Sequence, residues 1–393
     1  MSEIPSALAS VIDGLSAAER EILVATRRDL HRHPELAFEE RRTAGVVVDR
    51  LRRLNLEPRS GVGRTGVTAD PGAGSAHRIL LRADMDALPL SEATAVDYAS
   101  SEPGKMHACG HDGHVAILLS AAERLVRTTE AGRLRFLFQP AEEGAAGAEA
   151  CVRDGALEGV AAAVGLHLWN QLPIGKVGVN RGALMAAVDE FSIEITGPGG
   201  HGAAPHETAD TVVAAARIVE ALQGVVAREV SPLEPAVVTV GTIHGGSAFN
   251  VIPSSVKLTG TTRFFSETVG RALPEKIERI VAGTAAASGV RARLEYRRIN
   301  RATVNDPAVA EIVIGEARRL LGAENVETET RTLGGEDMSV YLSQVPGCFF
   351  FVGSAPAGEH RPHHSPVFDI DERALAIGVR LLEASARAVA AKY

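Results

Sequence analysis

Three apolar, strand-like runs in this chain are each followed closely by acidic residues or by a histidine. The runs and their followers are Arg78–Ala83 with Asp84 and Asp86, Leu134–Phe138 with Glu142 and Glu143, and Ala161–Leu166 with His167. In open α/β sheets, binding sites form at the edge where the carboxyl ends of the strands meet. The pattern therefore predicts an α/β fold with a functional site at that edge.

The middle of the chain has a different pattern, which runs strand–helix–strand–strand–helix–strand. The predicted elements are Glu190–Thr196, Thr208–Arg228, Ala236–Ile243, Ser255–Phe265, Val269–Ser288 and Ala292–Arg298. This β-α-β-β-α-β order is that of a ferredoxin-like domain. A length of 393 residues also favours two domains. We predict a ferredoxin-like domain at residues 185–298, inserted into an α/β domain formed by residues 1–184 and 299–393.

Charge and composition exclude several classes of partner. The net charge is −8 and no run of basic residues occurs, which argues against binding to nucleic acid. The apolar runs are too short to span a membrane. Residues Met1–Pro5 lack the features of a secretory signal, and only three cysteines occur, so we expect a reducing, cytoplasmic location.

The segment Met106–His114 contains three histidines, one cysteine and one aspartate within nine residues. Its glycines, Gly110 and Gly113, disfavour a packed helix interior. A thiolate, imidazoles and carboxylates together suit a divalent transition metal such as zinc. This segment therefore favours a metal site over a purely structural loop.

Other polar residues are open to two interpretations from their own sequence context. The pair Glu142–Glu143 fits the acidic first turn of a helix, and equally a metal ligand beside a general base. A lone histidine such as His167 is more often structural. The adjacent His363 and His364 fit a solvated loop as well as a metal site.

Nine segments, in order and spacing, resemble those of one known family. They are Asp29–Leu36, Leu81–Pro89, Met106–His114, Gln139–Gly144, Gly165–His167, Gly199–His206, Phe249–Pro253, Gly334–Asp337 and His364–Phe368. The family is that of the di-metal aminoacylase/carboxypeptidase amidohydrolases, in the branch with hippurate hydrolases and plant auxin–amino-acid hydrolases. The resemblance implies a mixed-sheet α/β/α catalytic domain with an inserted lid and dimerisation domain.

The resemblance also implies the residues of a two-metal site. The metal ligands it implies are Cys109, His111, Glu143, His167 and His364. Cys109 stands where an aspartate bridges the two metals in other branches. Glu142 resembles the general base, and Asp86 the residue that orients a ligand from behind. Zn²⁺ is the favoured ion, with Mn²⁺, Co²⁺ and Ni²⁺ as alternatives.

Three residues of the inserted domain resemble substrate-contacting residues of the family. His201 resembles the residue that stabilises the oxyanion, which comes from the partner subunit in related dimers. Asn250 and Arg263 resemble the residues that hold the substrate carboxylate, and an arginine fork suits that task. We therefore expect a homodimer, or a homotetramer built from dimers.

The activity that the resemblance implies is hydrolysis of the amide bond of N-acyl-L-amino acids. The alternatives are a dipeptidase or carboxypeptidase, an N-acetyl-diaminopimelate-type deacetylase, and a catalytically inactive binding protein. The sequence names neither the acyl group nor the native metal. It also leaves the roles of Asp84, Asp112, His114 and Glu336 open.

Overall fold

The computed structural model describes residues 6–72, 77–144 and 146–393. The N-terminal segment Met1–Pro5, in which the sequence predicts no secretory signal, lies outside the described residues. Within the described part, no helix is long and apolar enough to cross a membrane.

The described residues contain ten α-helices. They are α1 (Ser6–Asp13), α2 (Ala17–Arg32), α3 (Arg41–Arg53), α4 (His111–Leu125), α5 (Gly147–Arg153), α6 (Thr211–Gly224), α7 (Glu267–Ala287), α8 (Pro307–Leu321), α9 (Met338–Leu342) and α10 (Arg373–Lys392). Sequence signals explain some of their ends. Helix α2 begins with a capping box, in which Ser16 and Glu19 bond each other's backbone N–H, and it ends just before His33-Pro34.

Sixteen strands are found in the same residues. They are β1 (Arg59–Val62), β2 (Gly66–Ala69), β3 (Arg78–Asp84), β4 (Leu134–Gln139), β5 (Val160–Pro173), β6 (Val177–Gly178), β7 (Ala183–Met185), β8 (Ala187–Thr196), β9 (Gly200–His201), β10 (Ala236–Gly245), β11 (Val251–Ile252), β12 (Ser255–Phe264), β13 (Arg291–Asn300), β14 (Thr303–Val304), β15 (Val326–Glu327) and β16 (Gly347–Ala355).

The chain forms two compact units. The first comprises the described residues of Met1–Leu184, Val304–Arg331 and Asp337–Tyr393, and the second comprises Met185–Thr303 and Thr332–Glu336.

An eight-stranded mixed sheet forms the centre of the first unit, in the order β1-β2-β4-β3-β5-β16-β6-β15. Its four central strands, β4, β3, β5 and β16, run parallel. Strand β3 is buried from its second residue onward, as a continuous apolar run predicts for a central parallel strand. Helix α4 is buried over 13 of its 15 residues, because it packs between the sheet and its neighbouring helices α2 and α10.

The second unit has a four-stranded antiparallel sheet in the order β10-β12-β8-β13. Buried residues alternate with more exposed ones along β8, so one face packs on the unit's core. Helices α6 and α7 supply the other half of that core through residues such as Ile218 and Ile277. The strand order and the two helices are those of a ferredoxin-like domain, so the predicted fold class is confirmed.

Candidate metal centre

The candidate site lies at the carboxyl edge of the parallel strands in the first unit. Strands β3 and β4 end side by side, since Asp84 pairs with Gln139 in register. The chain then continues from β3 to Asp86 and from β4 to the turn that carries Glu142. Helix α4 begins at His111, because Gly110 before it has a φ of 95°, which glycine adopts readily.

The structure brings all five predicted metal ligands together. One group consists of Cys109, His111 and His167, and a second of Cys109, Glu143 and His364, with the donor atoms of each group within 4.8 Å of one another. Cys109 is thus common to both groups. Its Sγ lies 3.5 Å from His167 Nε2, while His364 Nε2 lies 3.2 Å from Glu143 Oε1.

Backbone carbonyl groups determine which ring nitrogen of two histidines carries the proton. His111 Nδ1–H donates to the carbonyl of Asp86 at 2.8 Å, and His167 Nδ1–H donates to the carbonyl of Leu168 at 2.7 Å. In the neutral rings, both Nε2 atoms therefore keep their lone pairs for a metal. His111 Nε2 is buried and has no hydrogen-bond partner among the described residues.

The electrostatics of the cluster favour a bound cation. Burial opposes protonation of His111, but the charges of Asp84 and Cys109 outweigh it and raise the pKa of His111 well above its usual value. Hydrogen bonding to Cys109 and to Glu143 raises the pKa of His364 to about 10. Because negative charge dominates these surroundings, a divalent cation would be stabilised there. The sulfur, nitrogen and oxygen donors fit a transition metal ion.

Two of these donors have pKa values shifted mainly by burial. Burial, with a smaller effect from the charge of Glu143, raises the pKa of the Cys109 thiol. Burial, followed by the neighbouring His114 and His363, lowers the pKa of His167. His167 is therefore held neutral, which is the form that binds a metal.

Asp86 fixes the turn that carries the two glutamates. Its Oδ1 accepts a hydrogen bond from the backbone N–H of Glu142 at 2.9 Å, and its Oδ2 accepts one from Glu143 at 3.0 Å. The backbone N–H of Asp337 points at Glu142 Oε1 from 3.4 Å. The carboxylate of Asp86 therefore fixes the turn that carries the glutamates, while its backbone carbonyl accepts the hydrogen bond from His111 Nδ1.

Asp112 and His114, whose roles the sequence left open, are held in hydrogen bonds with other parts of the protein. Asp112 Oδ2 accepts hydrogen bonds from the buried Arg27 and from His31 Nδ1, both at 2.8 Å. His114 uses both ring nitrogens in hydrogen bonds, to Asp84 and to the backbone of Leu168. Spacing alone gave no sign of these partners, because Arg27 and Leu168 are distant from them in the sequence.

The predicted oxyanion residue, His201, and the predicted substrate-binding residues, Asn250 and Arg263, belong to the second unit. His201 lies in β9 and pairs with Val251 of β11, and the carbonyl of Asn250 accepts a hydrogen bond from Gly202. His201 and Asn250 therefore lie on adjoining segments. Arg263 lies in β12, where its guanidinium donates to Thr261 Oγ1 and to the Thr262 carbonyl. Burial lowers the pKa of Arg263, and the charge of Asp189 opposes that shift.

Sulfur, nitrogen and carboxylate donors that cluster at the carboxyl edge of parallel strands, beside a buried glutamate, are the features of a metal-dependent enzyme. The family model described as peptidase family M20/M25/M40 matches residues 80–388. The chain belongs to this family, which confirms the resemblance seen in its sequence segments. Its relatives place it among the metal-dependent amidohydrolases.

Two relatives and one solved structure illustrate the similarity. The chain is 40% identical over 364 residues to N-acetyl-L-cysteine deacetylase of Bacillus subtilis, covering 92% of this chain and 86% of the relative. It is 38% identical over 393 residues to IAA-amino acid hydrolase ILR1-like 4 of Arabidopsis thaliana, covering 97% and 88%. The crystal structure of the Bacillus subtilis YXEP protein, a dinuclear metal binding peptidase from the M20 family, matches with a TM-score of 0.83 at 35% identity, covering 96% and 99%.

Proposed function

We propose that this protein hydrolyses the amide bond of N-acyl-L-amino acids and releases a carboxylic acid and a free amino acid. The observation that carries this proposal is the pair of donor groups that share Cys109 beside the buried Glu142. The names of the two relatives support the substrate class, since one is a deacetylase of N-acetyl-L-cysteine and the other a hydrolase of IAA-amino acid.

Two divalent metal ions per subunit belong to this proposal. Cys109, His111 and His167 would hold one ion, and Cys109, Glu143 and His364 the other. The thiolate and imidazole donors favour Zn²⁺, while Mn²⁺, Co²⁺ and Ni²⁺ are the alternatives to test. When bound, such a pair of ions lowers the pKa of a water molecule and polarises a carbonyl oxygen.

Glu142 acts as the general base in this proposal. Its carboxylate accepts a proton from the attacking water and delivers it to the departing amide nitrogen. The residue is only 8% exposed, which limits competition from bulk water. Because Asp86 binds the turn at two backbone N–H groups, the carboxylate is held in place before the substrate arrives.

The second unit supplies substrate contacts in this proposal. Arg263 has a charged guanidinium fork, and such a fork suits the free carboxylate of the amino-acid half. Asn250 assists that contact, and His201 donates to the oxyanion as the carbonyl carbon becomes tetrahedral. The support for these three roles is the family resemblance of their segments together with the chemistry of each side chain.

A substrate panel tests the proposed reaction. The full-length protein, loaded in turn with Zn²⁺, Mn²⁺, Co²⁺ or Ni²⁺, is assayed with N-acetyl- and N-benzoyl-amino acids, with dipeptides and with N-acetyl-diaminopimelate. We expect chelator-sensitive release of the free amino acid from the first group. A preference for dipeptides or for the diaminopimelate derivative would favour the corresponding alternative, and no turnover with any metal would contradict the proposal.

A further inference from the structure

The backbone of Leu168, the residue after the proposed ligand His167, is bonded to three histidines. Its N–H donates to His114 Nε2 at 2.9 Å. Its carbonyl accepts hydrogen bonds from His167 Nδ1 at 2.7 Å and from His363 Nε2 at 3.0 Å. The position of the His167 ring therefore depends on how this one backbone segment is held.

The hydrogen bonds of His114 leave no lone pair for a metal. Because the Leu168 N–H donates to Nε2, the proton of the neutral ring sits on Nδ1, which donates to Asp84 Oδ1 at 2.6 Å. The other oxygen of Asp84 accepts a hydrogen bond from Arg82 Nη1 at 2.6 Å. Arg82, Asp84 and His114 thus form a chain of hydrogen bonds that ends at Leu168.

Every member of this chain is enclosed by protein. Asp84 and Leu168 are fully buried, and His114 and Arg82 are each 2% exposed. The rings of His114 and His167 also meet edge to face, with their centroids 4.6 Å apart. Water therefore has no access to replace a lost bond, so a change at His114 would be transmitted to His167.

We propose that His114, supported by Asp84, is a positioning residue that holds the metal ligand His167 through the backbone of Leu168. The inference rests on the proposed two-metal function. It also assigns Asp84 and His114, whose donor atoms lie close to His111, to a supporting role rather than to a metal. Both oxygens of Asp84 and both nitrogens of His114 are already engaged by the protein.

Two matched variants separate this positioning role from simple space filling. His114→Gln places an acceptor oxygen near the position of Nε2, so it can still receive the Leu168 N–H. The shorter side chain in His114→Asn can still donate a hydrogen bond to Asp84, but it does not reach the Leu168 N–H. The two side chains have the same chemistry and differ in which hydrogen bond they preserve, so the Gln variant serves as the rescue control.

Metal titration of the full-length protein tests the proposal. Co²⁺ is added to metal-depleted wild-type and variant proteins and followed by calorimetry and by visible absorption. We expect two ions in the wild type and, in His114→Asn, a loss of about 10- to 100-fold in affinity for one of them, with a changed d–d absorption. His114→Gln should restore most of that affinity. Equal affinities in wild type and His114→Asn, or equal losses in Asn and Gln, would overturn the proposal.

A second measurement does not depend on how the variants fold. In a crystal structure of the Co²⁺-loaded wild type, His167 Nε2 should bind an ion while His114 Nε2 keeps its bond to the Leu168 N–H. An ion bound to His114 Nε2 or to Asp84 would overturn the positioning role and leave the proposed function standing. A wild type that binds no Co²⁺ would contradict both.

Discussion

Glu142 occupies a backbone position that other residues determine. Asp86 binds its N–H, and the preceding residue, Ala141, has a φ of 54° while its N–H donates to the buried Glu40. A non-glycine residue in the left-handed region is strained, and such strain persists only where the surroundings fix it. The carboxylate at this position therefore has little freedom to reorient.

Replacing Glu142 by glutamine should remove the base and keep the metals. Gln has the same shape, and none of the five proposed ligands is changed. We expect Glu142→Gln to lower kcat by about 10²- to 10⁴-fold. Elemental analysis should find the wild-type metal content. Glu149→Ala, an exposed glutamate on α5, is the matched control and should keep wild-type turnover. Appreciable activity in Glu142→Gln would contradict its role as base.

His31 should make the stability of the fold depend on pH. Burial and Arg27 oppose its protonation, but the hydrogen bond and charge of Asp112, with Glu92, outweigh them and raise the pKa of His31 above 6.5. When the pKa of a histidine is higher in the folded protein than in the unfolded chain, its protonation stabilises the fold. This stabilisation is complete at pH values below the pKa of the unfolded chain, and it is lost as the pH rises through the pKa of the folded protein.

The expected result is therefore a larger stability loss in acid. His31→Gln should reduce the free energy of unfolding by about 1–3 kcal/mol at about pH 6, and by less at about pH 9. Urea unfolding of wild type and variant at both pH values measures the difference. An equal loss at the two pH values would show that His31 contributes no charge to this network.

At the scale of single residues, the sequence predicted which side chains could bind a metal, but it did not predict their hydrogen-bond partners. The family resemblance of the sequence segments implied the five donors that lie in one cluster, whereas residue types and spacing alone left His167 and the pair Glu142–Glu143 open. The tautomers of His111 and His167 depend on backbone carbonyls, and the bond between His114 and Leu168 joins positions 54 residues apart. No spacing rule contains that information, because it arises only when the strands and α4 pack.

At the scale of elements, the turn between β4 and α5 depends on one close approach. A Cβ added at Gly147 would lie 1.7 Å from the carbonyl oxygen of Pro140, far inside any allowed contact. Gly147 also donates its N–H to the Ala141 carbonyl at 3.1 Å. The absence of a side chain there lets α5 begin against the turn that carries Glu142.

Gly147→Ala should therefore displace that turn. We expect a loss of about 1–3 kcal/mol in the free energy of unfolding. Turnover should also fall by up to about 10²-fold, since small misplacements of a catalytic group are costly. Gly45→Ala is the control, because its Cβ would meet nothing within 4 Å and it lies exposed in α3. The control should be neutral or more stable. Unchanged turnover in Gly147→Ala would contradict this account.

Element types were predicted better than element ends. The glycines of Met106–His114 were expected to disfavour a packed helix, but Gly113 lies buried inside α4, which begins at His111 because Gly110 supplies the left-handed residue before it. Strand β5 was expected to end at Leu166 and continues to Pro173, so His167 lies within the strand. Pairing of β5 with β16 extends it, which is a tertiary effect that the local sequence does not contain.

At the scale of the whole molecule, the second unit presents an exposed sheet edge. Strand β10 lies at one end of its four-stranded sheet and becomes more exposed towards Gly245. Ile243 is 53% exposed, and Phe249, just beyond the strand, is completely exposed. Apolar side chains next to an open edge favour association with another chain, and we propose that this edge forms the interface of the homodimer that the family resemblance implies.

A charge at this edge should therefore favour the monomer. We expect sedimentation velocity to find a dimer for the wild type and mostly monomer for Ile243→Lys. Ile22→Lys is the matched control, since Ile22 is 45% exposed on α2 of the first unit. It should remain dimeric. A monomeric wild type, or a dimer unaffected by Ile243→Lys, would contradict dimerisation through this edge.

The sharing of Cys109 by both donor groups has a consequence for where such a protein can work. Peroxide converts a thiolate to sulfenic acid, and that product is a poorer donor to a metal. Oxidation of this one sulfur atom would thus impair the binding of both metal ions. In a site without a shared ligand, two different side chains would have to be oxidised for the same loss. Burial of Cys109 slows such an attack, and a thiol-rich environment would be needed to reverse it.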